Sequence, residues 1–114
     1  MDEALALARR EALKSAEQFR LGAAVLRRRA VVATGRNRAA NPCGLWSVHA
    51  EMDALWKTKR GGGLHLVVVR VLRDGSAAMS KPCHACARAL ARAGVRKVTY
   101  TTGDPARPLV TAPV

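Results

Sequence analysis

The chain has 114 residues, 49% of them hydrophobic, so we expect a single domain over residues 1–114 and exclude a disordered protein. No apolar run approaches the roughly 18 residues of a membrane span. Residues 1–18 lack the apolar segment of a signal peptide, so we expect an intracellular protein, cytoplasmic or nuclear. The net charge of +12 indicates a polyanionic partner, a phosphorylated substrate or a basic solubilising surface.

The predicted elements begin with a helix over residues 3–19, which Asp2 could cap. Helical spacing predicts that its buried stripe contains Leu5, Ala8, Ala12, Ala16 and Phe19. Two strands follow over residues 22–26 and 30–35, with three arginines, residues 27–29, at the turn of their hairpin. This triplet is equally well read as a solvated turn or as a phosphate contact.

A loop over residues 39–47 precedes a second helix over residues 48–59, for which Ser47 would be the cap. Residues 64–72 are nearly all apolar, as in a central strand covered on both faces. A third helix is expected from Pro82, at the first helical position, to about Ala93. A strand over residues 95–102 and a short, antiparallel one over 109–114 follow. This order predicts an α/β fold with a mixed sheet of four to five strands.

Two cysteines suggest half of a metal site. Cys83 and Cys86 are three residues apart at a helix N-terminus, so both can face one atom, although two small buried cysteines are the alternative. His49 opens the preceding helix, and one His with two Cys leaves a fourth zinc position open, as in catalytic sites. Glu51 can miss the metal and still reach a bound water as a proton shuttle. Cys43, the third cysteine, is expected to be an unliganded thiol.

The spacing of these residues resembles a known family. His49-Ala50-Glu51, then 30 residues, then Pro82-Cys83-His84-Ala85-Cys86 resembles the H-x-E…P-C-x-x-C signature of zinc-dependent nucleobase deaminases, especially the cytidine/deoxycytidylate type. The resemblance covers roughly residues 3–102. It implies a three-layer α/β/α fold with zinc at two helix N-termini.

The resemblance also implies roles for individual residues. His49, Cys83 and Cys86 would bind Zn²⁺, and Glu51 would carry protons between water, the ring nitrogen and the leaving amine.

Further residues would contact the substrate. Backbone groups at Ala50 and Pro82 would contact the base edge, and Asn37 would hold the sugar, unless it is a polar residue of a strand end. Trp46 would stack on the base or pack against the pocket. The best candidates for phosphate contacts are Arg36, Arg38 and Lys81.

The leading hypothesis is a deaminase that converts cytosine to uracil in single-stranded DNA or RNA. Residues 19–114 carry a net charge of +13, which would attract phosphates. The alternative is a deaminase of free (d)CMP or a cytidine-type nucleotide. An adenine deaminase ranks lower, as does a non-catalytic zinc module that binds nucleic acid, because such a module has no use for Glu51. The family resemblance also leaves a homo-oligomer open.

Overall fold

The fold was analysed in a computed structural model, which describes residues 1–39, 47–59 and 61–114. The helices are α1 (Asp2–Lys14), α2 (Ala50–Trp56) and α3 (His84–Arg92). The strands are β1 (Arg20–Arg27), β2 (Ala30–Arg36), β3 (Arg38–Ala39), β4 (Ser47–Val48), β5 (Leu64–Val71), β6 (Ala77–Ala78), β7 (Val95–Thr101) and β8 (Leu109–Pro113).

The main sheet has the order β2-β1-β5-β7-β8, and the short strand β6 pairs with β5. Strand β5 is parallel to β7, whereas the other pairs are antiparallel. The predicted mixed sheet, the central position of β5 and the antiparallel last strand are therefore confirmed. Strands β3 and β4, which were not predicted, form a separate ribbon. Within the described ranges, no helix is long and apolar enough to cross a bilayer.

Two apolar clusters lie on opposite faces of the sheet, which makes the fold the predicted three-layer α/β/α arrangement. On one face, α1 packs its buried alanines against β1 and β5 through Ala4, Ala8, Ala12, Ala24, Leu26, Val67 and Val69. On the other face, α2 and α3 pack against the sheet through Ala50, Ala54, Leu90, Leu64, Leu66 and Val68. Tyr100 belongs to this second cluster and is 9% exposed.

Glycines let the helices approach the sheet closely. A Cβ on Gly22 of β1 would collide with the carbonyl oxygen of Ala8 in α1. A Cβ on Gly35 of β2 would likewise collide with the backbone nitrogen of Ala54 in α2. The second contact fixes how deeply α2 lies on the sheet, and α2 carries part of the candidate site at its N-terminus.

Helix α1 is shorter than predicted and ends five residues earlier. The backbone becomes extended at Ser15 (φ −66°, ψ 133°), whose hydroxyl bonds to a distant carbonyl instead of continuing the helix. As a result, Ala16 and Phe19 are exposed and do not extend the buried stripe. The cap was also wrong, because Met1 is the N-cap residue and Asp2 lies within the first turn.

Helix α2 begins two residues later than predicted and ends at Trp56. Ser47 is not its cap, because Ser47 and Val48 form strand β4, and Ser47 pairs there with Ala39. His49 is the N-cap residue of α2, with extended backbone angles and no side-chain cap bond. Ser47 and Val48, which the sequence alone assigned to the start of the helix, therefore belong to a strand pair.

Helix α3 also begins later, because Pro82 precedes it and does not occupy its first position. Cys83 is the N-cap residue, and its Sγ accepts a hydrogen bond from the backbone N–H of Cys86 at 3.4 Å. The predicted end is confirmed, since Gly94 follows the helix with a φ of 95°. One of the two motif cysteines thus has a structural role as a helix cap.

The predicted hairpin of β1 and β2 is confirmed, with Arg28 and Arg29 at its turn. Both have positive φ, 52° and 68°, which is uncommon for residues other than glycine. Arg27 pairs with Leu64 at the start of β5, so the triplet lies at the end of the sheet opposite the carboxyl ends of β5 and β7.

Candidate active site

The motif residues meet at the carboxyl ends of the parallel strands β5 and β7, where α2 and α3 begin. Ser80, which is 4% exposed, ties the segment before α3 to both strands. Its hydroxyl donates to the carbonyl of Val68 at 2.8 Å and accepts from the backbone N–H of Thr101 at 2.9 Å. Its backbone N–H donates to the Thr101 carbonyl at 2.9 Å. These bonds fix where Pro82 and Cys83 lie.

Asp53 fixes α2 to the end of β2 in a comparable way. Its carboxylate accepts hydrogen bonds from the Arg36 backbone N–H at 3.1 Å, from Arg38 Nε at 3.1 Å and from Lys57 Nζ at 3.3 Å. Burial alone would raise the pKa of Asp53, but these donors hold that pKa below its ordinary value. The charged carboxylate therefore anchors the helix that presents His49 and Glu51.

Three potential ligand groups gather between the two helices. The ligand atoms of His49, Glu51 and Cys86 all lie within 4.8 Å of one another. His49 Nδ1 is 3.1 Å from Cys86 Sγ. The Cys83 thiol accepts the Cys86 N–H and lines the same pocket as His49 and Glu51, so it lies beside this cluster. The structure thus groups Glu51 with His49 and Cys86, whereas the sequence grouped Cys83 with them.

The donor set fits zinc. Two ligands of one tetrahedral zinc ion, a histidine nitrogen and a thiolate, lie about 3.5 Å apart, which is close to the His49–Cys86 separation. Both cysteines are free thiols, so neither is consumed in a disulfide. Imidazole and thiolate are also the ligand types that zinc prefers. The ligand set of His49, Cys83 and Cys86 stays a prediction, and these observations favour it.

Burial and hydrogen bonding shift the pKa values of three ionisable groups at the site. Burial raises the pKa of Glu51 above its usual value, while its own backbone N–H and the nearby His49 partly oppose this. Burial, together with the bond to Cys83, raises the pKa of the Cys86 thiol to about 12. The Cys86 backbone N–H lowers the pKa of Cys83. A carboxyl group with a raised pKa is suited to take up and release a proton.

A pocket of about 390 Å³ opens beside this cluster. The predicted site residues that line it are Asn37, His49, Ala50, Glu51, Lys81, Pro82 and Cys83. Sequence reasoning missed others, among them Phe19, Leu21, Arg70, Met79 and Ser80. Trp46 and Cys43 lie outside the described residues.

Asn37 lines the pocket, but its side chain is bonded to the backbone at the start of β1. Its Oδ1 accepts from the Leu21 N–H at 2.9 Å, and its Nδ2 donates to the carbonyl of Phe19. These bonds correspond to the alternative of a polar residue at a strand end. The sugar contact stays a prediction, for which the second amide hydrogen of Asn37 has no acceptor among the described residues.

The predicted phosphate-binding residues fall into two groups. Arg36 Nη1 pairs with Glu11 at 3.2 Å and Arg38 Nε pairs with Asp53 at 3.1 Å, so a phosphate would compete with these carboxylates. Lys81 is exposed and lines the pocket. A sequence signal existed for the missed Arg70, since it places a charge near the end of an otherwise apolar central strand.

Comparisons with known proteins agree with this geometry. A family model described as the cytidine and deoxycytidylate deaminase zinc-binding region matches residues 1–102. No curated protein sequence matches the chain significantly.

Solved structures with a similar fold include three deaminases. Cytidine deaminase from Burkholderia pseudomallei gives a TM-score of 0.74 and 22% identity, over 98% of this chain and 91% of that one. The apo dCMP deaminase of cyanophage S-TIM5 gives 0.68 and 24%, over 89% and 81%. Cytidine deaminase from Mycobacterium tuberculosis gives 0.63 and 27%, over 94% and 86%. Because the family model matches most of its length, the chain belongs to the cytidine and deoxycytidylate deaminase family of zinc hydrolases.

Proposed function

We propose that this chain is a zinc-dependent deaminase that converts cytosine to uracil in single-stranded nucleic acid and releases ammonia. One observation carries the assignment of deaminase chemistry. The Glu51 carboxylate, in a residue only 4% exposed, lies within 4.8 Å of the His49 and Cys86 ligand atoms and lines an accessible pocket. A purely structural zinc site is closed and has no need of a buried carboxylate beside it.

His49, Cys83 and Cys86 would hold the metal at the two helix N-termini. Bound zinc supplies an open coordination position at which water loses a proton near neutral pH. His49 and Cys83 are the N-cap residues of α2 and α3, so both are held by backbone that the helices fix. The positive end of the α3 dipole favours the thiolate form of Cys83, whose pKa is lowered by the Cys86 backbone N–H.

Glu51 moves the protons of the reaction. It accepts a proton from the attacking water and delivers it to the ring nitrogen beside the carbon that carries the amine. Water oxygen bonds to that carbon, and Glu51 then takes the remaining proton of this oxygen and delivers it to the amine nitrogen. The carbon–nitrogen bond to the amine breaks as the added oxygen becomes the carbonyl of uracil. One water enters and one ammonia leaves, so no oxidant or reductant is needed.

The pocket supports a substrate that carries phosphate. Ala50 and Pro82 line it and offer backbone groups to the base edge. Lys81 and Arg70 also line it, and neither is within 4 Å of a carboxylate in the described part of the chain. The net charge of +12 favours a polymer with many phosphates over a single one.

The second candidate is a deaminase of free dCMP, CMP or cytidine. The small number of cationic side chains at the pocket, Lys81 and Arg70 among the described residues, favours it, since two suffice for one phosphate.

The experiment measures the zinc content and then the products from separate substrates. The protein is incubated with cytosine-containing single-stranded DNA or RNA, with an adenine-containing strand, and with dCMP, CMP and cytidine. Uracil in the cytosine strands supports the proposal. Product from mononucleotides alone would replace it with the second candidate, and zinc without any product would indicate a non-catalytic binding module.

A further inference from the structure

Two cavities share a wall formed by Phe19 and Arg70. The larger is the pocket of about 390 Å³ that contains Glu51. The smaller, of about 190 Å³, is also lined by Phe19 and Arg70, and it extends along the end of β5 to Arg73. The two cavities are therefore neighbouring sections of one surface that leads away from the metal cluster.

Phe19 is exposed where an aromatic residue of a small domain would ordinarily be buried. It is the single phenylalanine of the chain, its exposed fraction is 55%, and it belongs to neither apolar cluster. Its backbone is nevertheless fixed, because its carbonyl accepts from Asn37 and the following residue begins β1. An exposed ring on an ordered backbone offers a stacking surface at a low entropic cost.

The wall also carries two cations, Arg70 and Arg73. The Arg70 guanidinium carbon lies 4.8 Å from the centre of the Phe19 ring, a cation–π distance. Neither Arg70 nor Arg73 pairs with a carboxylate in the described ranges, in contrast to Arg36 and Arg38. No acidic residue lines the smaller cavity in those ranges.

We propose that Phe19, Arg70 and Arg73 form a second subsite, which binds the nucleotide next to the target cytosine in a single strand. The inference rests on the proposed function and narrows its substrate to a polynucleotide. An aromatic ring beside unpaired cations is the usual means of holding a single strand, because every base has a face that can stack and every linkage carries a charge. Free dCMP would fill the first cavity, which Phe19 and Arg70 also line, and leave the extension toward Arg73 unused.

The test compares kcat/KM for three substrates. These are dCMP, a trinucleotide with cytosine at its centre, and the same trinucleotide with abasic neighbours. We expect the intact trinucleotide to exceed the abasic one about 10-fold, the size of one base stacking on an aromatic ring. Phe19→Ala should remove most of that difference, and Phe19→Trp should restore it.

Two further variants separate stacking from charge. Arg73→Ala should lower the trinucleotide-to-dCMP ratio of kcat/KM and reduce the slope of log affinity against log salt by about 1. Arg96→Ala is the matched control, because it removes the same charge at the exposed start of β7 and should leave the ratio unchanged. Thermal unfolding of each variant checks that it is folded.

A binding measurement gives a readout that does not need turnover. In the Glu51→Ala background, 2-aminopurine next to the cytosine should lose fluorescence on binding through stacking, and adding Phe19→Ala should abolish that loss.

The outcomes distinguish this inference from the proposed function. Equal kcat/KM for intact and abasic strands, with no effect of Phe19→Ala on the ratio, would overturn the subsite while deamination stands. No uracil from any substrate would instead overturn the proposed function, whereas the fluorescence change would still support the subsite.

Discussion

Glu51 and Asp53 are two residues apart on one helix turn and are both buried, at 4% and 5% exposure, yet they lie in contrasting surroundings. Asp53 receives three donors from β2, β3 and its own helix, and its pKa is lowered despite burial. Glu51 faces the pocket, and burial raises its pKa. One helix turn therefore presents an anchoring carboxylate on one side and a proton-carrying carboxylate on the other.

The cations around the site divide in the same way. Arg38 and Lys57 pair with Asp53, and Arg36 pairs with Glu11 of α1. Arg70 and Lys81 line the pocket without such partners in the described ranges. Closeness to the motif in sequence is thus a poor guide to which basic residues contact the substrate, because a cation that already pairs with a carboxylate is less available to a phosphate.

The largest expected effect concerns the pocket side of this comparison. Glu51→Gln should lower kcat about 10²- to 10⁴-fold, because the amide cannot carry a proton between water and the ring. The bound zinc, measured by elemental analysis, should be retained. Glu3→Gln, a change of the same chemistry at an exposed position of α1, serves as the control. Substantial turnover by Glu51→Gln would show that another group moves the proton.

The next effect concerns the anchoring side. Asp53→Asn should lower the free energy of unfolding by about 1–3 kcal/mol, because charged hydrogen bonds to Arg36, Arg38 and Lys57 are lost or weakened. Urea unfolding measures it. The pKa of Asp53 is lower in the folded state, so its stabilisation is complete above the unfolded pKa of about 4. It is lost as the pH falls through the folded pKa.

The wild type and Asp53→Asn should therefore converge in stability on acidification below about pH 4. A stability difference that stayed constant down to the acid transition would contradict the assigned role of the charge.

The smallest effect compares one cation from each side. Lys81→Ala should weaken binding of a phosphate-bearing substrate and reduce the salt slope by about 1, without a change in thermal stability. Arg38→Ala should instead leave substrate binding unchanged and lower the free energy of unfolding. The loss should be at most about 1 kcal/mol, because the Arg38 side chain is 47% exposed and solvent screens its ion pair. If both variants affected binding equally, the division of the cations would be wrong.

Much of the fold follows from local patterns in the sequence. The apolar run that became β5, rich in β-branched residues, predicted a central strand, and the glycine after α3 marked where that helix ends. The end of α1 could not be predicted, because the Ser15 hydroxyl bonds to the carbonyl of Asn37, a residue 22 positions away. The start of α2 was missed because Ser47 and Val48 pair with Ala39 and Arg38 as strands, and neither two-residue strand has an alternating pattern that would mark it in the sequence.

The candidate site likewise contains residues that the sequence predicted and residues that it missed. The resemblance of the two motifs to the deaminase signature predicted that His49 and Glu51 meet the cysteine motif, and the structure brings His49, Glu51 and Cys86 together. Phe19 and Arg70 were missed, because they meet only through the register of β1 against β5, in which Leu21 pairs with Arg70. Sequence patterns predict well which residues are neighbours on one helix. A pocket wall made by residues of two strands depends on the pairing register, which these patterns do not specify.

The arginine turn of the first hairpin is a place where substitutions could increase the stability of the fold. Arg28 and Arg29 both occupy the left-handed region of backbone conformation, which costs about 1 kcal/mol or more for each residue. An Asn-Gly pair adopts this conformation more readily. The turn lies at the end of the sheet opposite the pocket, so a more favourable turn could offset a destabilising change at Asp53 without touching the chemistry. Variants of the site that are too unstable to purify could be studied in such a background.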